Sequence, residues 1–280
     1  MDQYIKKKLA KNWFKTLQEV LCREIEEKEG KKTKFKITNW NRSKSNDEGG
    51  GQYRILENGK IFDKVGVNFS EVYGKFSNEF KNKVPGTKTS SKFWASGISV
   101  VMHMKNPHVP AMHFNTRYIV TSFGWFGGGM DVTPCMKDKK LENWFHSELK
   151  KSCDKHNKNY YKKYKKWCDE YFYLPHRKEP RGIGGIFFDY KKSNWEKDFS
   201  FVREVGISFK NISNEIIEKK NKLKWTIKDK EIQYKKRGRY VEFNLLHDRG
   251  TKFGLQTGGN VEAILMSCLL YTSPSPRDLR

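Results

Sequence analysis

A short alternating segment carries the groups that could do chemistry. His113, Asn115 and Arg117 lie two apart in the run MHFNTRY, and in an extended strand such residues project from one face of a sheet. They would present an imidazole, an amide and a guanidinium along about 13 Å. Because an arginine can bind a carboxylate through two parallel charge-assisted hydrogen bonds, this polar row predicts a site for an acidic ligand. An ordinary solvent-exposed strand face is the alternative interpretation.

The preceding segment adds two polar residues. Ser99 and His103 alternate with the apolar Ile98, Val100 and Met102, which predicts a second strand. The prolines at 107 and 110 mark a short turn before the polar row begins. Two strands with so short a connection pair antiparallel most simply, and this hairpin would bring Ser99 and His103 beside the polar row.

Glycine-rich segments flank this hairpin. Gly127-Gly128-Gly129 precede Asp131, Arg181 opens the run RGIGG, and Gly258-Gly259 precede Asn260. No segment has the lysine and hydroxyl residue of a phosphate-binding loop, and none has the spacing of a dinucleotide-binding turn. The glycines indicate either close approach of the backbone to a flat ligand or tight turns.

The periodicity of apolar residues predicts the helices and strands around these residues. Residues Ile5, Leu9, Trp13, Leu17, Val20 and Leu21 predict an opening amphipathic helix. Further helices are expected at 141–153, 160–172 and 199–225, and strands within 52–76 (around an Asn58-Gly59 turn), at 184–190 and at 239–246. Strands and helices do not alternate strictly, which favours a single α+β domain with an antiparallel sheet covered by helices.

Composition restricts the class of protein. The net charge is +24, but the lysines are spread along the chain among acidic residues, which favours a solvated surface over a nucleic-acid footprint. Five cysteines without a CxxC pair indicate reduced, buried thiols. No apolar run approaches the ~20 residues of a membrane span, and no signal-peptide core is visible. We expect a cytoplasmic protein; a processed organellar form and a basic RNA-binding protein are the alternatives.

Five longer motifs resemble one family. They are KVGVNFSEVYG (64–74), ASGISVVMHMKNPHVPAMHFNTRY (95–118), WFGGGMDVTP (125–134), YKKWCDEYFYLPHRKEPRGIGGIFFD (164–189) and KRGRYVEFNLLHDRGTKFGLQTGG (236–259). Together they resemble the oxygen-dependent coproporphyrinogen oxidases, and the resemblance covers roughly residues 1–267.

The resemblance implies a fold and a reaction. The fold would be one domain with a large antiparallel sheet sandwiched between helices, forming a homodimer through about 240–275. The reaction would be the oxidative decarboxylation of two propionates of coproporphyrinogen III to vinyl groups, giving protoporphyrinogen IX in heme biosynthesis. Molecular oxygen would be the co-substrate, and no further cofactor or nucleic-acid partner is expected.

The resemblance also implies site residues. Catalytic roles would fall on His113, Asp131, Arg117 and Arg181, with His113 moving a proton, the arginines holding propionates and Asp131 facing the pyrrole N–H groups. Substrate contacts would come from Ser99, Asn115, Thr116, Arg117, Gly258, Gly259 and Asn260.

A divalent metal is the less favoured prediction. The resemblance implies His103, His113, His146 and His176 as ligands in some members of the family. Spacing alone shows neither HExxH nor a Cys/His cluster, so these histidines could converge only through the fold.

Two departures from the family pattern concern the C-terminal part. Asn260 stands where the resemblance implies an arginine, which would remove one carboxylate ligand. Residues 268–280, CLLYTSPSPRDLR, do not resemble the aromatic C-terminal region expected of the family. We therefore expect a C-terminally incomplete domain over 1–267 with a foreign-looking tail, and an inactive relative is a third possibility.

Overall fold

The fold was obtained as a computed structural model. It describes residues 1–30, 32–44, 47–76, 84–88, 90–256 and 259–266, apart from the side chains of residues 253 and 256. The helices are α1 (Gln3–Glu29), α2 (Lys139–Asp154), α3 (Tyr160–Tyr171), α4 (Trp195–Lys220), α5 (Ile227–Leu246), α6 (Arg249–Gln256) and α7 (Val261–Leu265). The strands are β1 (Lys36–Asn41), β2 (Gly49–Glu57), β3 (Phe62–Lys75), β4 (Lys92–Met104), β5 (Ala111–Val120), β6 (Gly124–Thr133), β7 (Tyr173–Leu174), β8 (Glu179–Pro180) and β9 (Gly185–Lys191).

Within the described residues, seven strands form one antiparallel sheet in the order β1-β2-β3-β4-β5-β6-β9. The two predicted hairpins are confirmed: β2 pairs with β3 around the Asn58-Gly59 turn, and β4 pairs with β5 around the prolines. From β1 to β6 consecutive strands are neighbours, because short connections join antiparallel strands most readily. Strand β9 joins the edge beside β6 after a longer segment that contains α2 and α3.

One face of the sheet, called here the core face, packs against helices. Along β5 every second residue is buried, from Met112 to Val120. Phe114 stacks on Phe209 of α4 with ring centroids 5.0 Å apart, and α1 covers β3 and β4. The predicted helices over 141–153, 160–172 and 199–225 are confirmed as α2, α3 and α4.

The opposite face, called here the open face, is covered only in part by helices. Tyr240 of α5 lies edge-on to His103, and Met266 at the end of α7 lies over Gly66. Helix α3 runs along the edge strand, with Trp167 against Phe187 of β9. Helices therefore lie on both sides of the sheet, and the predicted α+β sandwich is confirmed.

Two predicted details are wrong. Residues 239–246 are helical, because a capping box of Thr226 and Asp229 starts α5 and the chain stays helical through Leu246. Of the two interpretations of the glycines at 127–129, a tight turn is excluded, since they lie within strand β6. Ile5 and Leu9 of α1 are exposed, because the buried stripe of this helix follows Ala10, Phe14, Leu17 and Leu21.

No helix in the described part of the chain is both long enough and apolar enough to traverse a bilayer. The cysteines Cys22, Cys135, Cys153 and Cys168 are free thiols and buried, as the sequence predicted. The fifth, Cys268, lies outside the described residues.

Candidate active site on the open face of the sheet

The polar row lies on the open face of the sheet. His113, Asn115 and Arg117 are partly exposed, whereas the residues between them are buried on the core face. Across the sheet, Val101, Ser99 and Gly97 of β4 stand opposite these three residues, and Asp131, Gly129 and Gly127 of β6 stand opposite them on the other side. The antiparallel register thus brings Ser99 and Asp131 to the polar row, as the sequence predicted for Ser99.

Glycines lie on both sides of the polar row. Gly97 of β4 and Gly127 and Gly129 of β6 stand directly opposite its residues. Several cannot accept a side chain, since a Cβ on Gly129 would lie 2.2 Å from the carbonyl oxygen of Ile186. Glycine at such positions lets a ligand approach the backbone closely, so the face suits a broad, flat ligand.

A continuous chain of hydrogen bonds follows the polar row. Arg117 donates to Asp189 Oδ2 at 2.7 Å and to Asn115 Oδ1 at 3.3 Å. The amide Nδ2 of Asn115 lies 3.3 Å from His113 Nε2, and His113 Nδ1 lies 2.8 Å from Asp131 Oδ1. Two carboxylates therefore terminate the row, one at each end.

This chain of hydrogen bonds fixes the orientation of His113. The carboxylate of Asp131 can only accept, so Nδ1 of the imidazole donates to it. Arg117 donates to the Asn115 carbonyl, which leaves the Asn115 amide nitrogen 3.3 Å from Nε2. His113 is therefore held between Asp131 and Asn115.

Asp131 is buried in an ion pair. Its second oxygen accepts from Nη2 of Arg181, and the side chains are only 3% and 1% exposed. The Arg181 guanidinium stacks between Phe172 at 3.9 Å and Tyr240 at 4.4 Å and donates to Asn244 at 3.2 Å. Both oxygens of Asp131 are thus occupied, and Arg181 lies on the open-face side of the sheet but is closed off from solvent beside Phe172 and Tyr240.

The two charged groups stabilise each other's ionised forms. Burial alone would raise the pKa of the Asp131 carboxyl, but the charge of Arg181 and the hydrogen bond from His113 hold this pKa below its usual value. Burial opposes the charge of Arg181 as well, yet the Asp131 carboxylate raises the pKa of the guanidinium. Asp131 is therefore an anion that fixes His113 and Arg181.

Thr116 does not belong to this face. Its side chain points to the core face, 1% exposed, between Phe114 and Tyr118. The resemblance implied Thr116 as a substrate contact together with Asn115 and Arg117, but alternation along a strand places its side chain on the opposite side of the sheet. Only its backbone can contribute to the open face.

The four histidines implied as metal ligands do not come together. His146 bonds the carbonyl of Ile183, and His176 pairs with Glu242 and lies 3.2 Å from Nε2 of His247. His103 is buried against Tyr240, and His113 bonds Asp131. Among the described residues, no three His, Cys, Asp or Glu side chains form a group suited to a metal ion, so the geometry does not fit the implied site.

The predicted glycine-rich contact segment is only partly described. Gly258 lies outside the described residues. Gly259 bonds the carbonyl of Gly254, and Asn260 caps α7 by accepting from the backbone of Ala263 at 2.9 Å. The side-chain oxygen of Asn260 is thus used for a helix start.

Sequence reasoning missed two residues of the site. Asn244 sits in the segment that was predicted to be a strand, and Asp189 was quoted only as the last residue of a motif. The carboxylate of Asp189 at the end of the run GIFFD was a signal, but no periodicity connects it to Arg117, 72 residues earlier.

Two cavities lie away from the polar row. One, of about 10 Å³, is enclosed between His103 and α5. The other, of about 450 Å³, is lined by Lys7, Trp94 and other residues near the far ends of β3 and β4. Neither contains the polar row, which lies on an open surface.

The protein is an α+β domain with a polar sheet face, which carries a partly exposed arginine at one end and a buried Asp131–Arg181 ion pair at the other. The family model described as coproporphyrinogen III oxidase matches residues 9–272. The protein from Rickettsia akari (strain Hartford) is 53% identical over 270 residues, and those from Rickettsia conorii (strain ATCC VR-613 / Malish 7) and Rickettsia bellii (strain OSU 85-389) are 52% and 51% identical. Each alignment covers 93% of this chain and 95% of the relative, and all three are named oxygen-dependent coproporphyrinogen-III oxidase. The chain belongs to the coproporphyrinogen III oxidase family.

Proposed function

We propose that the protein catalyses the oxygen-dependent oxidative decarboxylation of coproporphyrinogen III to protoporphyrinogen IX on the open face of its sheet. The observation that carries this proposal is the position of Arg117. It is partly exposed and lies between Gly97 and Gly127 of the neighbouring strands, in a chain of this family. A flat face with one accessible guanidinium suits a broad ring with carboxylate arms.

Each step converts one propionate into one vinyl group. The side chain loses CO2 from its carboxylate and a hydrogen with two electrons from the carbon next to the ring. Molecular oxygen accepts the two electrons and, with one further proton, becomes hydrogen peroxide. The protein must therefore bind a carboxylate, supply or move one proton and exclude competing water.

The polar row can divide these tasks. Arg117 holds the propionate carboxylate of the substrate through its free N–H groups. His113 moves the proton at Nε2, the ring nitrogen that is not bonded to Asp131. Asp131 holds the His113 tautomer, as a carboxylate does in other acid–imidazole pairs.

Roles of Asp131 and Arg181 follow from their burial. Because both oxygens of Asp131 are occupied, we assign it to His113 and Arg181 rather than to the pyrrole N–H groups. Arg181 is buried in its ion pair with Asp131. Of the two arginines, we therefore assign Arg117 to the propionate carboxylate. Ser99, Asn115 and the segment 258–260 complete the proposed substrate contacts.

The oxidation uses O2, and we propose that it needs no metal. An electron-rich porphyrinogen can itself reduce O2, and the separation of His103, His113, His146 and His176 gives no site for the implied ion. Support for this proposal comes from where the histidines lie in the described residues.

The proposed assembly is a homodimer in the cytoplasm, with no nucleic acid as partner. Support for the dimer comes from apolar side chains on the surface within 240–275, namely Leu245, Leu246, Leu255 and Val261, which are 40–52% exposed. Large apolar side chains clustered on a surface mark an interaction site more often than an isolated one does.

The reaction is tested by incubating the purified protein with coproporphyrinogen III with and without O2. We expect one O2 consumed and one CO2 released for each vinyl group, and no product in anaerobic samples. Product without O2 would contradict the proposal. Exhaustive chelation beforehand tests the metal: activity should persist, and loss restored only by a metal would overturn the metal-free proposal alone.

A further inference from the structure

An acidic residue next to Arg117 is held there by three features of the sheet. Asp189 Oδ2 lies 2.7 Å from Arg117 Nη2, and the two side chains are 16% and 32% exposed. The pair lies at the end of the polar row that faces away from Asp131. Its geometry is built by β6 and β9 rather than by chance contact of two surface side chains.

The first feature is a β-bulge in β9. Phe126 and Gly128 of β6 pair with Lys191 and Phe188 of β9. Asp189 and Tyr190 therefore both stand opposite the single residue Gly127. A bulge of this kind bends the strand and re-aims a side chain, and bulges are frequent beside active sites.

The second feature is the backbone of Tyr190. Its φ of 53° lies in the left-handed region, which is strained for a non-glycine residue and persists only where the surroundings hold it. In this conformation its N–H donates to Asp189 Oδ1 at 2.9 Å. One carboxylate oxygen is thus fixed by the bulge, and the other is left for Arg117.

The third feature is the space left by Gly127. A Cβ at this position would lie 2.4 Å from Asp189 Oδ1 and 2.9 Å from Arg117 Nη2. Any side chain on residue 127 would displace the ion pair. The bulge, the left-handed Tyr190 and this glycine all serve one contact.

We propose that Asp189 is a positioning residue for the reaction and acts through Arg117; this inference rests on the proposed function of the polar row. Held by Asp189, Arg117 keeps one amino group on Asn115 and turns its remaining N–H groups to the open face. The same contact orients the Asn115 amide, which lies 3.3 Å from Nε2 of His113. Asp189 therefore aligns the carboxylate ligand and the proton-moving group together.

The experiment is a double-mutant cycle. Asp189→Asn keeps the shape of the side chain, but one amide oxygen cannot serve both Tyr190 N–H and Arg117. We expect kcat/KM for coproporphyrinogen III to fall about tenfold, equivalent to about 1.4 kcal/mol, mainly through a higher KM. Adding Asp189→Asn to Arg117→Ala should cause no further loss, because residues that act as a unit are not additive.

Asp63→Asn is the matched control. Asp63 also lies 2.7 Å from an arginine, Arg237, but has no contact with the polar row, so its kcat/KM should stay within about twofold. If Asp189→Asn does not fold as judged by thermal unfolding, Gly127→Ala displaces the same pair and takes its place in the cycle.

Three results would overturn the inference. Losses that multiply in the double variant would show that Asp189 acts independently of Arg117. A lower KM in Asp189→Asn would show that this residue merely competes with the substrate carboxylate, and unchanged kcat/KM would show no role. Full activity of Arg117→Ala would instead contradict the carboxylate-binding role proposed for Arg117, whereas absence of product from the unmodified protein would contradict the proposed reaction.

Discussion

The site depends on which charged residues are buried and which are accessible. Asp131 and Arg181 form a pair that is closed to solvent, whereas Arg117 and Asp189 form a pair at the surface of the open face. Removing one member of a buried pair leaves an uncompensated charge, which costs far more than the loss of a partly exposed pair. The two pairs therefore have different expected mutational costs.

This difference gives a stability prediction. Asp131→Asn should lower the free energy of unfolding by about 3–5 kcal/mol, because it leaves Arg181 charged in an aromatic enclosure. Asp189→Asn should lower it by no more than about 1 kcal/mol. Urea unfolding of both variants measures the contrast, and equal losses would show that the burial assigned to Asp131 is wrong.

The buried thiols give a prediction about pH. Burial raises the pKa of Cys22 and Cys153 to about 12 and that of Cys135 to about 11, and holds that of Cys168 well above its usual value. At pH 8 these raised pKa values leave the groups as unreactive thiols, since only the thiolate attacks.

In a disulfide-exchange assay at pH 8, the native protein should show at most one fast thiol, Cys268, and the protein in guanidinium should show all five. Two or more fast thiols in the native state would contradict the described burial.

At the scale of elements, period-two alternation predicted the central part of the site and little beyond it. The sequence predicted the hairpin of β4 and β5, because its polar and apolar residues alternate on a half-buried sheet. It did not predict strand β6, since the three glycines at 127–129 have no side chains that could show a period of two. The run RYVEFNLL resembles a strand locally, but Arg237, Tyr240 and Phe243 are buried at helical spacing, and tertiary packing decided the outcome.

The sequence did not predict which residues of other elements contact Arg117 and Arg181. Asp189 reaches Arg117 only because β9 contains a bulge, and Asn244 reaches Arg181 only because α5 crosses beside it. Both contacts join residues more than 60 positions apart. Strand alternation gives the face of a residue, but not its partner on a distant element.

A glycine of β6 gives a prediction about activity. Gly127→Ala should reduce kcat/KM about tenfold to a hundredfold, because displacement of a positioning group by about 1 Å has such effects. The matched control is Gly238→Ala in α5, where a Cβ meets nothing within 4 Å and alanine should stabilise the helix by about 0.4–1 kcal/mol.

Steady-state kinetics and thermal unfolding of both variants separate these effects. Normal kinetics in Gly127→Ala would show that the open face of the sheet tolerates a side chain beside Arg117.

In the whole molecule, several large apolar side chains within 240–275 are exposed, among them Leu246. If they form the proposed dimer contact, Leu246→Glu should shift the protein from dimer to monomer in sedimentation experiments. Ile227→Glu is the control, since Ile227 is more exposed but lies outside 240–275. A wild-type monomer, or dissociation of both variants alike, would contradict this assignment of the interface.

The remaining whole-molecule predictions concern the chain end. The family match extends to residue 272, five residues past the predicted domain boundary at 267. Residues 268–280 lie outside the described residues, so the incomplete domain and the foreign-looking tail stay predictions.

The central claim is that the substrate ring binds on the open face and places a carboxylate on Arg117. An anaerobic crystal structure with coproporphyrinogen III tests it most directly, because without O2 the substrate should bind and not react. We predict density for the ring over Gly97, Ser99 and Gly129, with a propionate within hydrogen-bonding distance of Arg117. A ring bound elsewhere, for example in the cavity beside Lys7 and Trp94, would contradict binding on the open face.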